Sequence, residues 1–189
     1  SWVPLVGPAP AAVVTDLVPL DPATPGSWAA ATSLGGGAAF ANLPKGGPSD
    51  GPYTLARLPD GCGEATAVAR TASTLADEVL VATSCGPFVV TRSAATPFAA
   101  GLSPVSLPTT LASHAGAVFG GTTTTGLWRF SGAAWSAEPV AGYTGTGTVN
   151  AVRSFGGTLW VAMAEGLFAR GSGPWTDVSG GLPGGGLVV

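Results

Sequence analysis

Leu159-Trp160-Val161-Ala162-Met163-Ala164-Glu165-Gly166-Leu167-Phe168 decides how the rest of the chain is read, because its outline occurs twice more upstream. Val79-Leu80-Val81-Ala82-Thr83-Ser84-Cys85-Gly86-Pro87-Phe88 aligns with it without gaps, as does Phe119-Gly120-Gly121-Thr122-Thr123-Thr124-Thr125-Gly126-Leu127-Trp128. Gly86, Gly126 and Gly166 then stand at intervals of 40 and 40, each followed two residues later by an aromatic ring. An apolar run, a short turn closed by glycine and a second apolar run read as an antiparallel hairpin. The glycine is expected at positive φ, where a side chain would be strained. Phe88, Trp128 and Phe168 are expected to pack between neighbouring sheets.

The register extends outwards. Gly116 matches Gly156 in a turn before the aligned strand, and Trp135 matches Trp175, each nine residues after the repeat glycine. Ala31-Thr32-Ser33-Leu34-Gly35 matches Ala82-Thr83-Ser84-Cys85-Gly86 at a spacing of 51, and the 11 residues beyond 40 are assigned to a loop insertion at 45–52. Each unit reads as four short strands, placed in the last unit at 149–154, 158–164, 167–170 and 175–178. A lone four-stranded sheet cannot bury both faces, whereas several stacked face to face can, as in a β-propeller. The predicted fold is therefore all-β, a β-propeller-type array of about four four-stranded antiparallel blades. The predicted divisions are an extended N-terminal arm at 1–11 and blades near 12–60, 61–102, 103–146 and 147–183, with 184–189 starting a further strand.

Gly166-Leu167-Phe168-Ala169-Arg170-Gly171-Ser172-Gly173-Pro174-Trp175 resembles the third-to-fourth-strand hairpin of sialidase-type Asp-box propellers and related bacterial repeats. The pattern of those repeats is Ser-x-Asp-x-Gly-x-x-Trp, with the Asp turned into the hairpin. Here a Gly and the Trp remain and the Asp does not, and Phe130-Ser131-Gly132-Ala133-Ala134-Trp135 departs in the same way. The resemblance spans about 64–183 and implies a propeller of degenerate Asp-box type. It implies no activity, since one fold hosts many. The trailing Gly186-Leu187-Val188-Val189 matches the beginning of a fifth unit. An open array exposes apolar faces and strand edges, and three readings stand side by side: a piece of a longer protein, a small closed propeller, or self-association.

Composition narrows the function classes. Hydrophobic residues make up 46% and charged residues 9%, against about 25% charged in an ordinary soluble domain. Even so, the longest strongly apolar stretch, 159–164, stops at Glu165, far short of the roughly 20 residues of a spanning helix. No membrane span is expected. Thirty Gly and 17 Pro raise the question of disorder, but six Trp and seven Phe recurring in register answer it. One Lys, Lys45, and six scattered Arg in a chain of net charge −3 make no basic stripe for nucleic acid. The absence of Ile and Gln fits a high-GC bacterial genome. Cys62 and Cys85 are expected to form a disulfide in an oxidising compartment, the alternative being two buried thiols. Low charge and Gly/Thr/Ser-rich strands point to an exported protein, extracellular or at the cell surface, with the periplasm as alternative.

Catalysis is not expected. The single His, His114, lies in a turn region with no nucleophile elbow beside it, and three His and Cys in total cannot fill a four-ligand zinc site. No cofactor and no metal are implied. Glu165 reads as a turn residue, Asp77-Glu78 lacks a calcium-loop pattern, and Arg92, Arg129 and Arg170 read as surface residues. Binding is the expected activity, with Tyr143, Trp135 and Trp175 as candidate ligand-binding aromatics. Trp135, Trp175 and Trp160 also suit the core between blades, and Tyr143 in the 142–148 loop is the expected exposed ring. The expected function is a non-catalytic interaction or structural module working through a protein partner or self-association. A carbohydrate-binding propeller, with a glycan as ligand, is the alternative, and a glycoside hydrolase or lyase of sialidase-like type comes third.

Overall fold

A computed structural model describes residues 14–20, 27–32, 37–42, 54–59, 62, 64–72, 78–91, 93–103, 106–141, 143 and 147–181. The predicted arm at 1–11, the loop insertion at 45–52 and the further strand at 184–189 lie outside the described residues. Among the described residues, sixteen strands form four four-stranded antiparallel sheets, each a meander in chain order. The chain divides into two compact units, Ser1–Pro97 and Phe98–Val189. In the first unit, sheet one holds β1 (Val14–Pro19), β2 (Ser27–Thr32), β3 (Gly37–Asn42) and β4 (Thr54–Arg57). Sheet two holds β5 (Ala65–Arg70), β6 (Val79–Thr83), β7 (Gly86–Val90) and β8 (Ala95–Pro97). In the second unit, sheet three holds β9 (Pro108–His114), β10 (Ala117–Thr122), β11 (Leu127–Phe130) and β12 (Trp135–Ala137). Sheet four holds β13 (Val149–Phe155), β14 (Thr158–Met163), β15 (Gly166–Arg170) and β16 (Thr176–Asp177). Among the described residues there is no α-helix, only a 3-10 turn at Ser179–Gly181.

The repeat glycines close the turns as expected, with φ of +115° at Gly86, +77° at Gly126 and +151° at Gly166. The 51-residue offset holds over the first two strands, where Ala31 faces Asp16 in sheet one as Ala82 faces Ala67 in sheet two. Gly35 lies outside the described residues, and Thr32 pairs with Gly37 where Thr83 pairs with Gly86. Each first strand carries a one-residue register shift at an exposed polar residue: Thr15, Thr66, Thr109 and Asn150. Such bulges re-aim the strand without ending its pairing.

The gap-free alignment of the second strands needs correcting by one residue. Val81 faces Phe88 and Val161 faces Phe168, but Trp128 is faced by Gly120, not Gly121. Two residues separate Thr83 from Gly86 and Met163 from Gly166, whereas three separate Thr122 from Gly126. Thr122 holds the longer turn together: its Oγ1 accepts from the Thr125 N–H at 2.9 Å and donates to the Gly126 carbonyl at 3.0 Å. Gly120 is also where the Trp135 ring lies. A Cβ there would come within 3.0 Å of that ring and of Pro108, so a residue like Val81 or Val161 has no room.

Each unit has its own core between paired sheets. In the first unit Ala29 and Ala31 of sheet one meet Val68, Val79, Val81 and Phe88 of sheet two. In the second, Phe119 and Leu127 of sheet three meet Val152, Val161, Met163 and Phe168 of sheet four. Phe88 and Phe168 thus pack between sheets as expected. Trp128 takes the matching position in sheet three, on the face turned away from sheet four. It is half-buried, and its Nε1–H donates to Thr125 Oγ1 at 3.0 Å. Burial of one such ring contributes about 1.5–3 kcal/mol. A polar link crosses each pair at the same register position. Asp16 Oδ2 accepts from the Val68 N–H at 3.1 Å, and Thr110 Oγ1 accepts from the Val152 N–H at 3.3 Å.

Candidate interaction surface

The sequence-chosen aromatics take different places. Trp135 is 3% exposed. Its ring packs on Phe130 at 5.4 Å, and its Nε1–H donates to the Phe98 carbonyl at 3.2 Å. Enclosed in this way, it offers no open face to a ligand. Trp175 holds the matching position in sheet four, half-buried against the core of the second unit. Its Nε1–H is buried with no hydrogen-bond partner among the described residues. Tyr143 is 39% exposed, with one edge packed on the Phe168 ring at 5.6 Å and its backbone paired with Val140 at 2.7 and 3.0 Å. Ala141, at φ +45°, makes that reversal tight enough to lay Tyr143 back on the sheet.

Arg170 was expected at the surface and is instead enclosed in the seam between sheets three and four. Its guanidinium pairs with Glu138 at 2.5 Å, the two side chains being 20% and 14% exposed. It lies 4.6 Å from the Trp175 ring centre and 5.2 Å from that of Phe119. The electron-rich faces of two rings and one carboxylate thus hold a single cation. Neither the 32-residue separation from Glu138 nor the offset from Gly166 signals this pairing in sequence. The pairing arises because Arg170 shares a face of sheet four with Phe168.

His114 sits at the end of β9, its Nδ1 within 3.1 Å of Ser154 Oγ. Burial, and then the positive charge of Arg170, hold its pKa below the ordinary histidine value. The adjacent hairpin of sheet four turns at Gly156 and Gly157 and presents Phe155, which is 80% exposed. Sequence reasoning missed Phe155. The readable signal is its place at the tip of a Gly-Gly hairpin, where a Phe has nothing on its own sheet to cover it. No cluster of three or more His, Cys, Asp or Glu suited to a metal occurs among the described residues.

Cys62 and Cys85 are disulfide-bonded, with Cα atoms 5.0 Å apart, as the sequence reading expected. The bond ties the connection before β5 to the β6–β7 turn, and it fits a non-reducing environment. No helix among the described residues is long and apolar enough to cross a membrane.

Comparison with known proteins agrees on architecture. The chain is similar to the WD40 β-propeller domain of Doa1, with 13% identity and a TM-score of 0.61, covering 93% of this chain and 57% of that one. It is also similar to the GH74 xyloglucanase from Xanthomonas campestris, with 19% identity and a TM-score of 0.54, covering 91% of this chain and 31% of that one. No protein-family model and no curated protein sequence matches the chain. The fold is that of a β-propeller, built here as four four-stranded antiparallel sheets. The chain spans little more than half the length of the first of these structures and about a third of the second.

Proposed function

We propose that the chain is a non-catalytic, extracellular β-propeller module of bacterial, degenerate Asp-box type that works by binding protein. The observation that carries this reading is Phe155, 80% exposed at a hairpin tip beside His114 and Ser154. Aromatic rings such as Phe are enriched at the buried centres of protein interfaces, and a ring displayed at a hairpin tip is placed to enter one. The disulfide supports an extracellular setting. The test immobilises the chain and its Phe155→Asp variant and compares the proteins each captures from the extracellular fraction of the source organism. A partner retained by the chain and lost with the variant supports the reading. Identical capture by both removes it.

A carbohydrate-binding module is the second reading, favoured by Tyr143, whose ring is 39% exposed and held by Phe168. A rigid, half-open aromatic is a stacking platform for a sugar ring. Saturable binding on a glycan array, lost with Tyr143→Ala, would replace the first reading with this one. Hydrolysis of a glycoside by the purified chain would overturn both.

A further inference from the structure

The shared register of the four sheets shows which faces are used and which are left open. Val68 of sheet two and Val152 of sheet four are buried in cores formed with the preceding sheet, as are Ala65 of sheet two and Val149 of sheet four. The same register positions in sheet one are Leu17 and Val14, each 51% exposed. Trp28 stands opposite Pro19 and shares this face, half-buried. On the other side of the register, Ala29 and Ala31 of sheet one, and Phe119 and Leu127 of sheet three, are buried against the sheet that follows. Their counterparts in sheet four are Trp160, Ala162 and Leu167, all only half-buried. Sheet one therefore leaves open the kind of face that sheets two and four pack on their predecessors. Sheet four leaves open the kind of face that sheets one and three pack on their successors.

We propose that these open faces bind each other between two copies of the chain, head to tail. Sheet four of one copy lays Trp160, Ala162 and Leu167 over Val14, Leu17 and Trp28 of the other. A second copy is the fitting occupant because the two faces are the two halves of an interface the chain already makes twice, once in each unit. Their union removes Trp, Leu and Val side chains from water, and Arg153, the charged residue opposite Trp160, directs its Nη1–H to the Val152 carbonyl at 2.8 Å and to Thr110 Oγ1 at 3.4 Å. A heterologous contact of this kind either closes into a ring or continues as a filament. The inference rests on the interaction-module reading and adds self-association to it; Phe155, opposite Thr158 and on the same side of β13 as the Arg153–Trp160 pair, lies at the end of the same open face.

The test measures association of the chain by sedimentation equilibrium and native mass spectrometry, alongside Leu17→Glu and Trp160→Glu. Circular dichroism of each variant checks that it is folded. A glutamate buried at the centre of an apolar contact is expected to weaken association by about 100-fold or more. Each variant alone should therefore be monomeric at micromolar concentration. Each also keeps one intact face, so mixing the two should give a 1:1 complex, as a head-to-tail contact requires. A chain that is monomeric throughout overturns the proposal, and so does a Trp160→Glu variant that associates like the parent. Capture of a protein other than the chain itself, retained by Leu17→Glu and lost with Phe155→Asp, leaves the protein-binding reading standing where this proposal fails.

Discussion

Arg170→Leu is the most informative single change in the second unit, because it keeps much of the side-chain volume and removes only the cation. An exposed ion pair contributes about 0.2–1 kcal/mol, while breaking a buried one costs about 3–5 kcal/mol. At 20% and 14% exposure the Arg170–Glu138 pair lies nearer the buried limit, but water still screens it. A loss of about 2 kcal/mol is expected from orphaning Glu138, and two ring contacts at 4.6 and 5.2 Å add about 0.5–1 kcal/mol each. Together these give about 3–4 kcal/mol, of which the new leucine's contacts return part, leaving about 2–3 kcal/mol. The assay is urea unfolding of the parent, Arg170→Leu, Glu138→Gln and the double variant, followed by Trp fluorescence. Glu138→Gln should cost about 1–2 kcal/mol, and the cycle should show a coupling of at least about 1 kcal/mol. Single losses under about 0.5 kcal/mol that simply add would mean that Arg170 is the surface residue its sequence suggests, and would refute the seam.

Three further outcomes follow from named contacts. Thr110→Val keeps the shape of a 7%-exposed residue but removes the acceptor for the Val152 N–H, and should cost about 1–3 kcal/mol in thermal or urea unfolding. Reducing Cys62–Cys85, or replacing both with Ala, should destabilise the first unit by up to about 3 kcal/mol in the chain-entropy account, and should leave the amide protection of the second unit unchanged. His114 has a folded pKa below its unfolded value, so the folded chain binds fewer protons than the unfolded chain between the two. Its contribution is complete above about pH 6.5 and is lost as pH falls through the depressed folded pKa. His114→Gln should flatten that slope in stability measured against pH.

How far the sequence could be read depended on whether a feature was local. The glycines at 86, 126 and 166 were legible because a tight turn at positive φ restricts residue choice at one position. The 51-residue offset of sheet one was legible through β1 and β2, where Ala31 faces Asp16 as Ala82 faces Ala67. The register of β10 was not, because Gly120-Gly121 fits the repeat equally well in either frame and the extra turn residue hides among four consecutive threonines. Arg170 was misread because its partner is 32 residues away on another sheet and alternation alone cannot say which face meets a neighbour. Trp135 and Trp175 share a repeat position but differ in enclosure: Gly120 makes room for the first, and Val161 fills that place opposite the second. The polar residues at 15, 66, 109 and 150 were a readable sign of the bulges, each standing at the second position of its first strand.

The shared register supports the paired cores, the seam and the open faces alike, and cross-strand nuclear Overhauser effects between opposed backbone protons test it most directly. Cross-peaks linking Val81 with Phe88, Gly120 with Trp128 and Val161 with Phe168 are expected. Cross-peaks linking Gly121 with Trp128 would restore the gap-free alignment, shift β10 by one residue and turn Phe119 out of the core on which the account rests.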